Sequence, residues 1–215
     1  MNQQRVIERT SNYVRKALQG DSSGHDWWHV YRVHQLSKTI ARDEYVDLYV
    51  VELGALLHDI GDWKFNAEGE GERKSRKWLS NLGVDITVID QVCEIVENVS
   101  FKGADVKPAL LSPEGMVVQD ADRLDAMGAI GIARAFAYGG SKGRAMYDPN
   151  VKPVMHGSFA QYKSSTGHTV AHFYEKLLLL KDRMNTMTGK RLAESRHEFM
   201  QEYLKQFFGE WKGEI

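Results

Sequence analysis

The spacing of apolar residues is the feature that most restricts the fold of this chain. Apolar positions recur every three or four residues in most segments, which is the pattern of an α-helix with one buried face. No stretch shows the sustained alternation expected for a strand, and only four prolines interrupt the 215 residues. We therefore predict an all-α helical bundle. The predicted helices cover residues 3–19, 27–42, 44–59, 70–82, 86–100, 113–126, 128–138, 168–186 and 190–210, each end to within about two to four residues.

The chain is long enough for one buried core and shows no clear linker, so we predict a single helical domain over residues 1–215. Residues 139–157 differ from the rest because they combine glycines, prolines and basic residues. A loop of this length inside a domain is usually either mobile or a working lid. We predict a flexible loop, with the C-terminal helices packed on the core.

Charge and composition exclude several classes of partner. The formal net charge of -1 argues against long nucleic acids, whose binding depends on many basic contacts to phosphate, but it allows a local basic pocket. No run approaches the roughly 20 apolar residues that span a bilayer, and the first residues lack a signal-peptide block. The single Cys93 forms no disulfide within the chain and fits a small core residue. We predict a cytoplasmic protein without a membrane partner.

Histidines and aspartates fall within three stretches of the sequence whose other residues are mainly apolar. The runs are Trp28–Val33 with His29, Leu57–Asp62 with His58 and Asp59, and Asp120–Asp125 with Asp122. Burying an unpaired imidazole or carboxylate is costly, and one shared metal ion would compensate all three runs. Since the donors are imidazole and carboxylate without thiolate, they suit Mn, Fe, Co, Ni or Mg better than a structural zinc site.

Helical geometry supports this interpretation and also leaves alternatives. His29 shares a helical stripe with Val33 and Ile40 and therefore faces the core. Asp59 near a helix C-terminus opposes the helix dipole, a conflict that a cation would remove. The alternative for His29 is a core histidine bonded to a backbone carbonyl, and the alternative for Asp122 is an ion pair with a nearby arginine.

The order of these residues resembles the HD-domain superfamily of metal-dependent phosphohydrolases. The segments that match are His29-x-x-Arg32-Val33, Leu57-His58-Asp59-Ile60 and Asp120–Ala126. Together with His172–Leu177 and Arg191–Phe199, they are most similar to small bacterial HD proteins of the YpgQ/YedJ type. The resemblance extends over nearly the whole chain and implies an HD-domain helical bundle.

Carried over position by position, the resemblance implies that His29, His58, Asp59 and Asp122 are metal ligands. The implied cofactor is one divalent metal ion, for which we favour Mn²⁺ over Mg²⁺, Co²⁺, Ni²⁺ or Fe²⁺. Family members with two metals have further histidines between the His-Asp pair and the last Asp. This sequence has none between His58 and Asp122, so we expect one tightly held ion.

Other polar residues near these motifs are candidates for substrate chemistry. Asp62 is three residues past Asp59, near the position of an acidic residue that assists hydrolysis in related HD enzymes, and we predict that it is catalytic. The predicted substrate-binding residues are Lys64, Lys102, Arg123 and His25. Basic side chains suit phosphate oxygens, although each of these residues is alternatively an ordinary surface or capping residue.

The resemblance implies hydrolysis of a small phosphorylated substrate, with a nucleoside triphosphate cleaved to monophosphate and pyrophosphate as first choice. The alternatives are a non-catalytic nucleotide-binding sensor and an HD-fold diiron oxygenase, which would need further histidine ligands. His25 and His29 also have the spacing of a zinc protease, but Asp26 replaces the required Glu. For His168 and His172 we predict helix-start and packing roles. A homodimer stays open.

Overall fold

The computed structural model of the protein describes residues 2–19, 26–61, 69–99, 110–155 and 167–215. Within these ranges all regular structure is helical, which confirms the predicted all-α fold. The helices are α1 (Gln3–Ala17), α2 (Trp27–Ala41), α3 (Leu48–Leu57), α4 (Glu70–Asn81), α5 (Ile86–Asn98), α6 (Pro113–Asp125), α7 (Gly128–Ser141), α8 (Thr169–Glu175) and α9 (Met187–Lys212), with 3₁₀ turns at Leu177–Leu179 and Lys181–Arg183. No helix of this described part has the length and apolar character of a membrane span.

Local side-chain caps define where several helices begin. The Asp85 carboxylate accepts a hydrogen bond from the backbone N–H of Thr87 at 2.8 Å, at the start of α5. At the start of α6, the Ser112 hydroxyl accepts one from the N–H of Gly115 at 3.1 Å. Pro113 is the first residue of α6, where a missing N–H costs no helical hydrogen bond. These starts therefore follow from residues that are neighbours in the sequence.

The described residues up to Asp122 form one compact unit organised around α3. In this unit α3 packs against α1, α2 and α5, and α4 packs against α5. Val50, Val51 and the stretch Leu53–Leu57 are buried, as expected for a helix that is apolar on nearly all sides. Because the last residue of α3 is buried, the chain leaves this helix inside the unit, and the next residues are His58 and Asp59.

Cys93 lies on α5 and is buried. Its thiol donates a weak hydrogen bond to the Glu72 carbonyl at 3.8 Å. Burial raises the pKa of Cys93 to about 11, so the thiol stays protonated at neutral pH. The prediction of a small core residue is confirmed.

The described residues from Arg123 onwards form a second compact unit. Here α9 packs against α7 and the second 3₁₀ turn, and α7 packs against α8. Aromatic rings contribute to the contacts between these helices: the centroid of Phe136 lies 6.1 Å from that of Phe173, which stacks on Tyr203 at 6.0 Å. The predicted single domain over residues 1–215 stays a prediction.

The glycine-rich segment predicted as a flexible loop begins as helix. Residues 139–141 form the last turn of α7, and residues 142–155 follow without regular structure. The N–H of Val154 donates to the Glu175 carboxylate on α8 at 3.0 Å. The last two residues of the predicted loop lie outside the described residues, and its flexibility stays a prediction.

His168 connects this segment to the start of α8. Its Nδ1 accepts a hydrogen bond from the N–H of Ala171 at 2.9 Å, and its Nε2–H donates to the Val151 carbonyl at 3.0 Å. Both ring nitrogens are therefore used in structural hydrogen bonds, as expected for the predicted helix-start role.

We expect His168→Ala to lower the free energy of unfolding by about 1–2 kcal/mol, because α8 loses its N-cap and Val151 loses its donor. Asparagine is also a good N-cap, so His168→Asn serves as the matched control that loses only the bond to Val151. Urea unfolding measures the first effect, and the rate of elastase cleavage after the exposed Val154 measures the second. Equal cleavage rates in all three proteins would show that His168 does not hold the segment.

Candidate metal centre

The first candidate ligand, His29, lies in the first turn of α2. The Asp26 Oδ1 atom accepts a hydrogen bond from the backbone N–H of His29 at 3.0 Å and so caps the helix. The His29 imidazole is completely buried. Asp26 therefore has a structural role as the N-cap of α2. In the zinc-protease interpretation the residue at this position would be the general base, so the capping role argues against that interpretation.

His58 and Asp59 lie in a turn just beyond α3. The helix ends at Leu57, and the N–H of Ile60 donates to the Leu57 carbonyl at 3.0 Å. His58 Nδ1 lies 2.8 Å from the Ala55 carbonyl oxygen, so Nδ1 carries the proton and Nε2 keeps a lone pair for a ligand. The predicted helix over residues 44–59 is therefore too long at its C-terminal end.

Polar atoms of three further side chains lie close to His29 Nε2 within the first compact unit. His29 Nε2 lies 3.2 Å from His58 Nε2, 3.3 Å from Asp59 Oδ2 and 3.4 Å from Asp122 Oδ1. His58 Nε2 lies 3.7 Å from Asp59 Oδ1 and 3.9 Å from Asp122 Oδ1. The structure thus brings together all four residues that the resemblance implies as ligands, from α2, α6 and the turn after α3.

This donor set fits a divalent metal ion. With metal–ligand bonds of about 2.0–2.1 Å, adjacent ligand atoms of one ion lie about 3 Å apart, close to the spacings observed around His29. Imidazole nitrogens and carboxylate oxygens together suit first-row divalent metals. Within the described ranges, His29, His58 and Asp59 form a buried cluster of potential ligands. A bound cation would compensate buried carboxylate oxygens and imidazole nitrogens that face one another.

The cluster is buried except at Asp122. The side chains of His29 and Asp59 are 0% and 6% exposed, and that of His58 is 2% exposed. The Asp122 side chain is 27% exposed. Among the four side chains, Asp122 is therefore the one with substantial exposure to solvent.

Among the predicted substrate-binding residues, Arg123 falls within the described ranges. It is buried, and its Nη1 donates to the backbone carbonyl of Arg183. This bond gives the guanidinium a structural partner, and its contact with phosphate stays a prediction. The predicted site residues that lie outside the described residues are His25, Asp62, Lys64 and Lys102. Their roles also stay predictions.

The helices that lead to the cluster carry a buried polar pair that was not predicted from the sequence. His34 on α2 lies with its Nε2 2.7 Å from Oε2 of Glu52 on α3. A signal for it exists, because Glu52 is the one charged residue in the apolar stretch Val50–Leu57. A lone carboxylate in a buried helix needs a partner.

We expect Gly61→Ala to distort the turn that carries His58 and Asp59. An added Cβ would lie 2.6 Å from the Gly71 backbone nitrogen, so the backbone has to shift. The expected cost is about 1–3 kcal/mol of unfolding free energy together with weaker metal binding. Thermal unfolding and Mn²⁺ titration measure the two effects.

The matched control for Gly61→Ala is Gly140→Ala, because an added Cβ at Gly140 would meet nothing within 4 Å. We expect this control to be neutral or slightly stabilising. If both variants unfold at the native temperature and bind Mn²⁺ equally, the close approach at Gly61 does not shape the turn.

The fold and the cluster agree with comparisons with known proteins. The HD domain family matches residues 27–127, which include all four converging side chains. YpgQ of Bacillus subtilis, an uncharacterized protein, is 40% identical over 208 residues, or 96% of this chain and 94% of YpgQ. The chain therefore belongs to the HD-domain family of metal-dependent phosphohydrolases.

Solved structures of similar proteins share the fold over nearly the full length. A Lactobacillus plantarum protein has a TM-score of 0.89 and 38% identity, covering 99% of this chain and 100% of its own. An HD-superfamily hydrolase from Bacillus thuringiensis has a TM-score of 0.77 and 42% identity, with 98% and 99% covered. B. subtilis YpgQ, crystallised in complex with ADP, has a TM-score of 0.77 and 36% identity, with 96% and 95% covered.

Proposed function

We propose that the protein hydrolyses a nucleotide, with a nucleoside triphosphate cleaved to monophosphate and pyrophosphate as the first choice. The observation that carries this proposal is the convergence of four side chains with exposure at Asp122. The complex of YpgQ with ADP supports a nucleotide as the substrate, since the two chains are similar over nearly their full lengths.

In this proposal His29, His58, Asp59 and Asp122 hold one divalent metal ion, with Mn²⁺ favoured. When bound, the ion would act as a Lewis acid toward a phosphate oxygen and lower the pKa of water. The two imidazoles offer neutral nitrogens, and the two carboxylates supply negative charge that offsets the charge of the cation. Burial of His29, His58 and Asp59 keeps competing water from these atoms.

The remaining roles fall on residues that sequence analysis singled out. Asp62 takes a proton from the attacking water while the oxygen of that water forms a bond to the α-phosphorus. The bond from the α-phosphorus to the bridging oxygen breaks, and pyrophosphate leaves with the electron pair. Basic side chains stabilise the negative charge that develops on the phosphates. The residues proposed to bind substrate are Lys64, Lys102, Arg123 and His25.

Hydrolysis in ¹⁸O-labelled water tests this proposal. The protein is incubated with each of the common nucleoside triphosphates and with Mn²⁺, Co²⁺, Ni²⁺ or Mg²⁺, and the products are separated by mass. We expect pyrophosphate and a monophosphate that carries the label, which identifies attack at the α-phosphorus. Label in pyrophosphate would instead identify attack at the β-phosphorus, and free phosphate with a nucleoside would identify a monoesterase.

Failure to release any of these products from the full panel would contradict the catalytic proposal. Nucleotide binding measured by calorimetry under the same conditions would then favour the sensor alternative. The protein with Asp59→Asn serves as the control for contaminating phosphatases, because it differs from the native chain in one side chain and is purified in the same way.

A further inference from the structure

His34 and Glu52 form an interhelical hydrogen bond within the first compact unit. His34 lies on α2 and Glu52 on α3, and Nε2 of the imidazole is 2.7 Å from Oε2 of the carboxylate. Their side chains are 11% and 14% exposed. The bond is therefore largely shielded from water. In such a shielded site, a hydrogen bond to a carboxylate is stronger than at the protein surface.

The hydrogen bonds of His34 indicate that its ring is neutral. Gln35 Nε2 lies 3.4 Å from His34 Nδ1, so the amide donates to Nδ1 while Nε2–H donates to Glu52. Burial lowers the pKa of His34, and Lys38 acts in the same direction while Glu52 opposes them. The ring thus has a defined tautomer and a defined orientation at neutral pH.

The other buried side chains on α2 and α3 are mostly of a different kind. The buried side chains of both helices are mainly aliphatic, including Val33 and Ile40 on α2 and Val51 on α3. Aliphatic packing is not directional, so it holds two helices together without strongly selecting one axial position. A single buried polar contact can select such a position, as a buried asparagine does in coiled coils.

The pair lies on the two helices that lead to His29 and to His58, and its spacing from these residues shows that the helices are antiparallel. His29 is five residues before His34, and His58 is six residues after Glu52. At a rise of about 1.5 Å per residue, the pair lies about 7–9 Å along the helix axes from the cluster. Because a helix is stiff over this distance, any sliding of α2 along α3 would change the distance between His29 Nε2 and His58 Nε2.

We propose that His34 and Glu52 are positioning residues that set the register of α2 against α3 and thereby place His29 opposite His58 and Asp59. The inference rests on the metal-binding half of the proposed function and is independent of the substrate. Both residues act through the metal ligands, so their effect is expected on metal affinity more than on folding.

The experiment compares four variants with the native protein, using Mn²⁺ alone as the probe. His34→Leu/Glu52→Leu replaces the pair by apolar side chains, and Glu52→Ala removes the acceptor with a smaller change in packing. Glu52→Gln keeps an oxygen that accepts the Nε2–H of His34. Ile40→Val alters the same helix pair without touching a polar contact and is the matched control.

Mn²⁺ affinity is measured by calorimetry, and unfolding is measured separately with the metal removed by a chelator. We expect the double variant and Glu52→Ala to bind Mn²⁺ about tenfold more weakly, the size of effect seen when groups that orient metal ligands are lost. The double variant should unfold close to the native temperature without metal, because replacing both partners of a buried hydrogen bond by apolar groups can be nearly neutral or stabilising. Glu52→Gln and Ile40→Val should bind Mn²⁺ within about twofold of native.

Three results would overturn the inference in distinguishable ways. If the folded double variant and Glu52→Ala bind Mn²⁺ as tightly as the native protein, the pair does not set the register, while the metal site itself stands. If the native protein binds no Mn²⁺, Co²⁺, Ni²⁺ or Mg²⁺, there is no metal affinity to position and the metal-binding half of the proposed function fails as well. A loss of affinity in Ile40→Val equal to that in Glu52→Ala would assign the effect to general packing.

Discussion

Asp59→Asn is expected to remove the tightly bound metal and to lower kcat by at least about a hundredfold. Loss of a group that only orients a metal ligand costs about 10–100-fold in affinity or activity, and loss of a ligand should cost no less. Asparagine has nearly the same size, but its amide is uncharged and has an NH₂ group beside two buried imidazoles. The Asp59 side chain is 6% exposed, so solvent cannot replace the missing charge.

Elemental analysis of the purified variant and a Mn²⁺ titration measure the metal, and the ¹⁸O assay measures turnover. Asp90→Asn is the matched control, because it makes the same chemical change at an exposed ion pair with Arg76, 2.7 Å long, in the same unit. Surface ion pairs contribute little, so this control should retain metal and activity. A variant at position 59 with a full complement of metal would show that Asp59 is not a ligand.

Asp62→Asn is expected to lower kcat by about a hundred- to ten-thousand-fold while the metal content stays within about twofold of native. This range is typical of the loss of a general acid or base, and the amide of asparagine cannot accept a proton from water at neutral pH. Metal content is measured as for Asp59→Asn, so the two variants separate a ligand from a proton acceptor. We expect Asp59→Asn to lose both metal and turnover, and Asp62→Asn to lose turnover alone.

The pH dependence of kcat provides a second measurement on Asp62→Asn. If Asp62 accepts the proton, the variant should lose the acidic limb of the native pH profile. Near-native turnover with bound metal would contradict the role, as would a native-shaped profile at reduced rate. In the first case another group would have to accept the proton from water. In the second case Asp62 would affect the rate through positioning rather than through proton transfer.

Much of the fold could be predicted from the sequence because helix formation depends on nearby residues. The start of α5 at its Asp85 cap and the start of α6 at Pro113 follow from local hydrogen bonds. The helix predicted over residues 168–186 is wrong in extent, because α8 ends at Glu175 and two 3₁₀ turns follow. There Leu177 and Leu180 are buried, and burial rather than helix propensity sets the backbone.

The candidate site could be predicted only in part. The apolar surroundings of His29 and of the His58-Asp59 pair indicate buried polar groups, and the resemblance supplies Asp122 as a fourth member. The exact end of α3 could not be predicted, since Leu57 and His58 have no local stop signal between them. The role of Gly61 could not be predicted either, since its lack of a Cβ permits a close approach to Gly71, ten residues further along the chain.

The sequence by itself determined where most helices lie, which apolar faces of these helices are buried and which side chains are chemically able to bind a metal. These properties depend on periodicity and on the cost of burying polar groups, both of which can be read along the chain. Only the tertiary structure decided that His29 Nε2 lies 3.2 Å from His58 Nε2 and that His34 pairs with Glu52. The reason is physical. The first distance joins residues that are 29 positions apart in the sequence, and the second joins residues that are 18 positions apart. Both distances depend on how α2 and α3 pack and on their axial register, which local sequence patterns do not specify.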